Sequence, residues 1–282
     1  MLFDAPAGLP WRPLLAALAA LACLGCASRR YQVSGMVLQV DSARQTLLVS
    51  HDRIPGYMEP MIMPFRVRDP LDLQTLQPGA RITFHLVVDK RKSYARRLRR
   101  AGNVASPLAY QASEPVAVGQ PAPDFKLTDQ HSRSVQLSHY SGRVIVLNFI
   151  YTRCPLPEFC PRLSSHFARL QDRFRNRLGR DLMLLSVSFD PQHDRPEVLA
   201  EHARGWKADP DGWRFLTGEL PEVRRVCSLF GLDFWPDDGL ITHTMRTAVV
   251  DRQGRLAANL IGSDFTAEQL GDLVETVLQG SI

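Results

Sequence analysis

The spacing of hydrophobic and polar positions divides the chain into a β-rich part and an α/β part. From Tyr31 to Asp52 apolar and polar residues alternate on both sides of a polar turn at 41–44, which is typical of a β-hairpin. The segments "MIMPFRV" and "ARITFHLVVD" are expected to add further strands. The pattern therefore predicts a small, all-β, barrel-like domain over residues 31–102.

From residue 119 onward the pattern changes to buried strands and amphipathic helices. The continuous apolar runs "RVIVLNFIY" and "DLMLLSVSFD" predict strands covered on both faces. A helix is expected to begin near Pro161. Its apolar stripe comprises Leu163, Phe167, Leu170, Phe174 and Leu178.

The remaining elements complete an α/β pattern. Asp194 and Pro196 are expected to open a second long helix, and "DRQG" reads as the turn of a hairpin. The last helix has a capping box at Thr266 and Gln269 and ends at Gly280. The order β-α-β-α-β-β-α predicts an α/β domain of thioredoxin type at 119–282, after an aperiodic linker at 103–118 that is rich in proline, serine and alanine.

The N-terminus has the pattern of a targeting signal. "WRPLLAALAALACLGCAS" contains one arginine, about 12 mostly apolar residues and then small residues, a run too short for a comfortable transmembrane helix. We expect a signal peptide at 1–26 and export to the cell envelope or periplasm. "CLGCAS" is similar to a lipoprotein-processing site, with Cys23 where leucine is usual, and predicts a lipid anchor on Cys26. An uncleaved signal anchor is the alternative.

Composition and charge are those of an ordinary globular protein and give few indications of function. The 282 residues are enough for two domains, and 45% hydrophobic and 22% charged residues are ordinary for a globular protein. A net charge of +5 gives no argument for nucleic acid as a partner. The basic run "DKRKSYARRLRRAG" is interpreted as a solvated edge strand, with contact to anionic lipid headgroups as the alternative.

The five cysteines leave one pair for chemistry. Cys23 and Cys26 belong to the leader, and Cys227 lies on the apolar side of a helical pattern, where packing explains it. The pair Cys154 and Cys160 lies between a buried strand and a helix start. A structural disulfide is the default in an oxidising compartment, but a helix N-terminus favours a reactive thiolate. The pair is therefore predicted to be redox-active or metal-binding.

A histidine favours the metal hypothesis. His243 precedes the strand expected beside the active-site strand, so its loop should face the cysteines. Two sulfurs and one imidazole form a soft ligand set that suits copper. Thioredoxins carry a proline where this chain has Met245, which weighs against an ordinary thiol oxidoreductase.

The α/β part resembles the Sco/SenC family of copper chaperones over roughly residues 115–280. The segments that carry the resemblance are "FKLTDQHSRSVQL", "VIVLNFIYTRCP", "CPRLS", "LLSVSFDPQHDRPEVL", "WRFLTG" and "THTMRTAVVDRQGRL". The resemblance implies Cys154, Cys160 and His243 as copper ligands. It also implies a mainly structural role for the matching Asp190, Pro191 and Asp194.

The resemblance implies delivery of copper to the dinuclear copper centre of cytochrome c oxidase. It leaves open a further role, the reduction of that centre's thiols. One departure concerns the cysteine loop. Five residues, "PLPEF", separate Cys154 and Cys160 where the family has three. The longer loop keeps a redox role open.

A second group of soft ligands lies in the β-rich part. Met61 and Met63 are two residues apart on a strand and share one face, and His51 and Met58 lie close before them. The methionines could simply pack in a methionine-rich core, but the flanking prolines favour a rim or edge position. The stretch also resembles the CusF-like copper- and silver-binding barrel of OB type. That resemblance implies His51, Met61 and Met63 as ligands. The family's tryptophan, which caps the metal, is absent from this chain, and its place falls at about Met58. Met58 is expected to be a further ligand or a hydrophobic lid.

The sequence as a whole predicts an exported, membrane-associated copper metallochaperone. It would handle Cu(I), with Cu(II) left open, and its partners would be the copper-bearing subunit of cytochrome c oxidase and a periplasmic thiol reductant. One alternative is a thiol–disulfide oxidoreductase in which Cys154 attacks and Cys160 resolves. The other is a copper sensor or buffer without a delivery target.

Overall fold

The computed structural model describes residues 29–89, 92–100, 115–237 and 240–280. The predicted signal peptide with Cys26 and residues 103–114 of the predicted linker lie outside these ranges. Among the described residues, no helix combines the length and the apolar character needed to cross a membrane.

The N-terminal part is an all-β domain with one five-stranded sheet. Its strands are β1 (Arg29–Asp41), β2 (Thr46–His51), β3 (Met61–Arg66), β4 (Arg81–Val88) and β5 (Ser93–Arg100). They are ordered β3-β2-β1-β4-β5 and are antiparallel throughout. Residues 93–100 of the basic run thus form an edge strand, β5, as predicted. The closed OB-type barrel is not confirmed, because the five strands form an open sheet. Among the described residues, an isolated parallel bridge joins Val67, just after β3, to Ala95 of β5.

The C-terminal part is an α/β domain. Its strands are β6 (Lys126–Asp129), β7 (Ser134–Gln136), β8 (Val144–Ile150), β9 (Leu182–Ser188), β10 (Trp213–Thr217), β11 (Phe234–Asp237), β12 (Leu240–His243), β13 (Arg246–Val250) and β14 (Leu256–Ile261). Its helices are α1 (Cys160–Arg173), α2 (Pro196–Gly205), α3 (Leu220–Leu229) and α4 (Ala267–Leu278). Seven strands form one sheet in the order β14-β13-β8-β9-β10-β6-β7, and β11 and β12 form a separate hairpin.

Local sequence explains the central elements of this domain. Every residue of β8 and β9 is buried, as continuous apolar runs require of strands covered on both faces. Helix α1 begins at Cys160 with Pro161 in its first turn and buries Leu163, Phe167 and Leu170. The capping box at Thr266 and Gln269 is present.

The predicted order was incomplete, and one predicted cap was wrong. The structure adds strand β10, helix α3 and the hairpins β6–β7 and β11–β12. Helix α2 contains Pro196 at its start, but Asp194 does not cap it. The Asp194 carboxylate instead accepts hydrogen bonds from Thr152 and Ser188, because it is fully buried beneath the loop that follows β8.

The two domains pack directly against each other. Met36 and Leu38 on β1 are fully buried and belong to the hydrophobic core of the α/β domain. Gly79 leaves room for Leu260 of β14, since a Cβ there would lie 3.1 Å from its Cδ1. The back of the first sheet is therefore covered by the second domain.

Candidate metal sites

The cysteine pair lies at the carboxyl edge of the parallel strands. Cys154 follows the end of β8, and Cys160 is the first residue of α1. Because β8, β9 and β10 run parallel, the loops after β8 and β9 meet at the same edge of the sheet. Both cysteines are free thiols, Cys154 partly buried and Cys160 buried. The predicted position at a strand-to-helix junction is confirmed.

The two thiols are unequal in acidity. A hydrogen bond from Cys160, together with backbone groups of Leu156 and Cys160 and the hydroxyl of Tyr151, lowers the pKa of Cys154 to about 5 against the effect of burial. The same hydrogen bond and burial raise the pKa of Cys160. At neutral pH the pair is therefore one thiolate that accepts a hydrogen bond from one thiol.

Buried polar contacts hold the loop that carries Cys154. The guanidinium of Arg153 donates to Asp190 Oδ2 at 2.7 Å, and the backbone N–H and hydroxyl of Thr152 both donate to Asp194. The hydroxyl of Ser188 also donates to Asp194. The two aspartates of the "DPxxD" motif thus tie the loop after β9 to the loop after β8.

His243 ends strand β12 on the separate hairpin and faces an aromatic group. Its ring centroid lies 4.6 Å from that of Phe189 and 6.0 Å from that of Tyr151. Its Nδ1 lies 2.8 Å from the carbonyl oxygen of Thr244, so Nδ1 carries the proton and Nε2 keeps its lone pair. Burial lowers the pKa of His243, which keeps the ring neutral at physiological pH and suited to metal binding.

These three predicted ligands are not assembled into one coordination shell. In the ranges that the structure describes, no three His, Cys, Asp or Glu side chains lie close enough together to hold a metal ion. Cys154 and Cys160 are hydrogen-bonded, and the Cys154 charge acts on His243. The structure therefore brings the two sulfurs together and leaves the imidazole nearby, on its own hairpin.

The inter-cysteine loop is partly fixed by the rest of the domain. Phe159 N–H donates to Leu156 O at 3.1 Å, which closes a turn inside "PLPEF". The hydroxyl of Ser263 donates to the carbonyl of Glu158 at 3.0 Å. Leu156, at 47% exposure, projects from the loop into solvent. The longer loop thus has defined contacts of its own.

His51, Met61 and Met63 of the first domain share one face at a sheet edge. His51 is the register partner of Met61, and Val49 that of Met63, so His51 and both methionines are on the same face. Strand β3 is an edge strand. Met61 is 49% exposed, whereas Met63 and Met58 are partly buried against the domain core. The edge position agrees with the prediction from the flanking prolines.

His51 is a buried imidazole with one nitrogen unused. It is 1% exposed, and its Nδ1 donates to the carbonyl of Asp52 at 2.7 Å. Its Nε2 is buried and has no hydrogen-bond partner among the described residues. A buried acceptor without a partner costs about 1–3 kcal/mol. A soft metal ion ligated by Nε2 and the neighbouring thioethers would remove that cost, so the residues present fit such an ion.

Tyr151 and Phe189 also belong to the cysteine site, although the sequence pattern does not single them out. Tyr151 donates its hydroxyl toward Cys154, and burial, with the charge of Cys154, raises its pKa to about 12. Phe189 holds the ring of His243. Both end apolar runs and therefore looked like ordinary core residues. Their position, directly after β8 and β9, is the signal that could have found them.

Family models match both domains. Residues 114–279 match the model described as SCO1/SenC, and residues 30–98 match the model described as copper binding periplasmic protein CusF.

Curated relatives agree with the longer match. Protein sco1 of Schizosaccharomyces pombe is 26% identical over 154 residues, 52% of this chain and 56% of the relative. The SCO1 protein homolog of Bacillus subtilis is 32% identical over 94 residues, 33% of this chain and 47% of the relative. The chain thus spans about half the length of these two relatives.

Solved structures share the fold of the α/β domain. A SCO1/SenC family lipoprotein from Bacillus anthracis aligns with a TM-score of 0.50 at 24% identity, covering 57% of this chain and 99% of the other. Yeast Sco1 with copper bound aligns with a TM-score of 0.50 at 21% identity, covering 58% and 91%. At these identities the alignments establish the thioredoxin-like fold.

Proposed function

This chain belongs to the SCO1/SenC family, and from that premise we propose that it is an exported, membrane-associated copper metallochaperone. The observation that carries the proposal is the hydrogen-bonded pair of free thiols, with the neutral, lone-pair nitrogen of His243 close by. A disulfide is no copper ligand, so the reduced pair is the competent state. The match of residues 30–98 to a copper-binding domain supports copper as the cargo.

In the α/β domain, Cys154, Cys160 and His243 would hold the copper. Cys154 is ready to bind as a thiolate at neutral pH, whereas Cys160 must release its proton when the metal enters. His243 would complete the set through Nε2 if the β11–β12 hairpin closes on the cysteine loop. Two sulfurs and one imidazole suit Cu(I) and can also hold Cu(II).

In the first domain, His51, Met61 and Met63 would hold Cu(I), with Met58 as a fourth ligand or an apolar lid. All are neutral soft donors, which favours a monovalent ion over Cu(II). The parallel bridge from Val67 to Ala95, between the two edges of the sheet, supports an OB-type arrangement of this domain. The domain would capture or store copper that the thioredoxin-like domain then hands on by ligand exchange.

The delivery target would be the copper-bearing subunit of cytochrome c oxidase. Among the relatives, yeast Sco1 has been observed with copper bound. A thiol reductant in the periplasm would keep the cysteine pair reduced. A lipid on Cys26 would anchor the chain to the membrane, as expected from "CLGCAS" and from the lipoprotein of Bacillus anthracis with the same fold.

A second candidate function is thiol–disulfide exchange. The observation that favours it is the thiolate of Cys154 beside the thiol of Cys160, an attacking and a resolving sulfur. The substitution His243→Ala separates the two functions. A chaperone loses tight Cu(I) binding at the cysteines and keeps its rate of thiol exchange. An oxidoreductase keeps rapid turnover of a disulfide substrate, and its wild-type cysteines bind no copper.

A further inference from the structure

Helix α4 of the second domain contacts the residues on both sides of His51. The amide nitrogen of Gln269 donates to the Ser50 carbonyl at 3.3 Å and to Asp52 Oδ1 at 2.8 Å. The Ser50 hydroxyl donates to Asp272 Oδ2 at 2.7 Å. The end of β2 that carries His51 is therefore held by a helix that lies more than two hundred residues later in the chain.

The side chain of Gln269 has little freedom in this contact. It is 4% exposed. Its Oε1 accepts from the Thr266 backbone N–H at 3.0 Å, in the capping box, and from Arg81 Nη1 at 2.7 Å. Arg81 also pairs with Asp52 at 2.7 Å. The Gln269 amide thus cannot flip without breaking contacts on both of its ends.

His51 depends on this network through its own hydrogen bond. The carbonyl of Asp52 is the acceptor that holds the proton on Nδ1 and leaves Nε2 unprotonated in the buried pocket. Gln269 contacts the side chain of Asp52, and His51 donates to its backbone carbonyl. A shift of Asp52 would therefore change the orientation of the ring or allow the other tautomer, in which Nε2 carries the proton and cannot bind a metal. Groups that hold the ligating histidine in this way commonly set metal affinity.

We propose that Gln269 is a positioning residue for the His51 metal site, so that the second domain prepares the site of the first. This inference rests on the proposed function of His51, Met61 and Met63 as soft-metal ligands. It assigns to the domain interface a role in metal affinity, beyond holding the domains together.

The segment that carries Gln269 also contacts the other site. Ser263, six positions earlier in the sequence, donates to Glu158 in the inter-cysteine loop. A short stretch of chain therefore contacts the loop of one candidate site and both neighbours of His51 in the other.

The test uses Ag(I) as a probe for residues 27–282, which contain every described residue, with Cys154→Ser and Cys160→Ser so that only the first site can bind. Gln269→Glu keeps the acceptor oxygen of the capping box and removes the amide that donates to Ser50 and Asp52. We expect Ag(I) affinity to fall roughly 10–100-fold. Nitrogen NMR of metal-free protein should show one His51 tautomer in the parent and a mixture in the variant.

Matched variants make the result specific. Glu268→Gln, on the adjacent exposed residue, removes the charge that pairs with Arg169 but keeps an acceptor oxygen, and should change neither readout. Asp52→Ala removes the Gln269–Asp52 contact from the other side, together with the pair between Asp52 and Arg81, and should also change both readouts. The double variant Asp52→Ala with Gln269→Glu should lose less affinity than the sum of the two single losses, because the two changes share the Gln269–Asp52 contact.

Two failures can be distinguished. An unchanged tautomer and unchanged Ag(I) affinity in both Gln269→Glu and Asp52→Ala would overturn this inference and leave the proposed function intact. A parent protein with the expected tautomer but without Ag(I) binding would overturn the proposed function of the first domain, and with it the role in affinity.

Discussion

The histidines of the two candidate copper sites make the same backbone hydrogen bond in different surroundings. In both, Nδ1 donates to the carbonyl of the following residue, at 2.7 Å in His51 and 2.8 Å in His243, so that Nε2 keeps its lone pair. His51 is buried in a main sheet and tied to helix α4, whereas His243 ends a separate two-stranded hairpin. In the first site the imidazole is already held in position beside the exposed Met61. In the second site the two sulfurs already lie together, whereas the imidazole of His243 lies nearby on a separate hairpin.

This difference indicates different tasks. Neutral thioethers and a fixed imidazole suit holding a monovalent ion without proton exchange. A thiolate and a thiol with a third ligand on a hairpin suit a site in which binding, proton release and ligand exchange are coupled. The predictions that follow test this contrast, from the largest expected effect to the smallest.

Removing a sulfur should have the largest effect and should act on one site only. Cys154→Ser removes the thiolate that is already formed at neutral pH. We expect Cu(I) affinity at the cysteine site to fall by more than the roughly 10–100-fold typical of losing an outer-shell partner. Competition titration with a Cu(I) chelator measures this. Binding at the methionine site should remain, and loss of both coppers would contradict two separate sites.

Removing the anchor of the cysteine loop should cost stability. Asp194 is fully buried and accepts from Thr152 and Ser188. Asp194→Ala leaves those donors without a partner, and we expect the free energy of unfolding to fall by about 3 kcal/mol. Urea unfolding measures the change.

The exposed pair Arg169 and Glu268 gives the control for that experiment, since Arg169→Ala should change stability by less than about 1 kcal/mol. If Asp194→Ala proved equally mild, the loop would not depend on this contact.

A methyl group at position 35 should disturb the first site selectively. A Cβ on Gly35 would lie 2.7 Å from the Ser50 carbonyl oxygen and 2.8 Å from His51 Cα, both backbone atoms that cannot easily move aside. We expect Gly35→Ala to destabilise the protein by about 1–3 kcal/mol and to weaken Ag(I) binding at His51. Calorimetric titration measures the binding.

Gly56→Ala serves as a control of a different kind, because its φ of +71° is strained for alanine although nothing lies near the added methyl. It should lower stability without the specific loss at His51. Equal loss of Ag(I) affinity in both variants would contradict the steric account.

The acidity of Cys154 should appear in its pH profile. The thiolate forms above its pKa, so alkylation by iodoacetamide should rise with pH around a midpoint of about 5. Cys160→Ala removes the largest cause of the lowered pKa and should move the midpoint upward, toward that of an ordinary thiol. A midpoint that does not move would show that Cys160 does not hold the charge.

Local patterns predicted most of the elements that position the sites. The buried runs at β8 and β9, the helix start at Pro161 and the Thr266–Gln269 capping box were all readable from residues close in sequence. The edge position of β3 followed from its prolines. These features depend on spacing, burial and backbone chemistry that each segment carries itself.

Features that depend on distant partners were not predictable. Asp194 reads as a helix cap, yet its carboxylate is taken by Thr152, forty-two positions earlier. Gln269 reads as half of a capping box, yet its amide also serves Asp52 in the other domain. Tyr151 looks like the end of a core strand until its hydroxyl meets Cys154. Each case needs the tertiary fold to bring the partner near.

The most direct test of the central claim is copper stoichiometry on the reduced protein, residues 27–282. It would be compared with Cys154→Ser/Cys160→Ser and with Met61→Ala/Met63→Ala. Two separate sites predict two Cu(I) ions in the parent and one in each double variant. A parent that binds one copper, lost equally in both variants, would contradict the account, as would cysteines that bind no copper while the protein rapidly turns over a disulfide substrate.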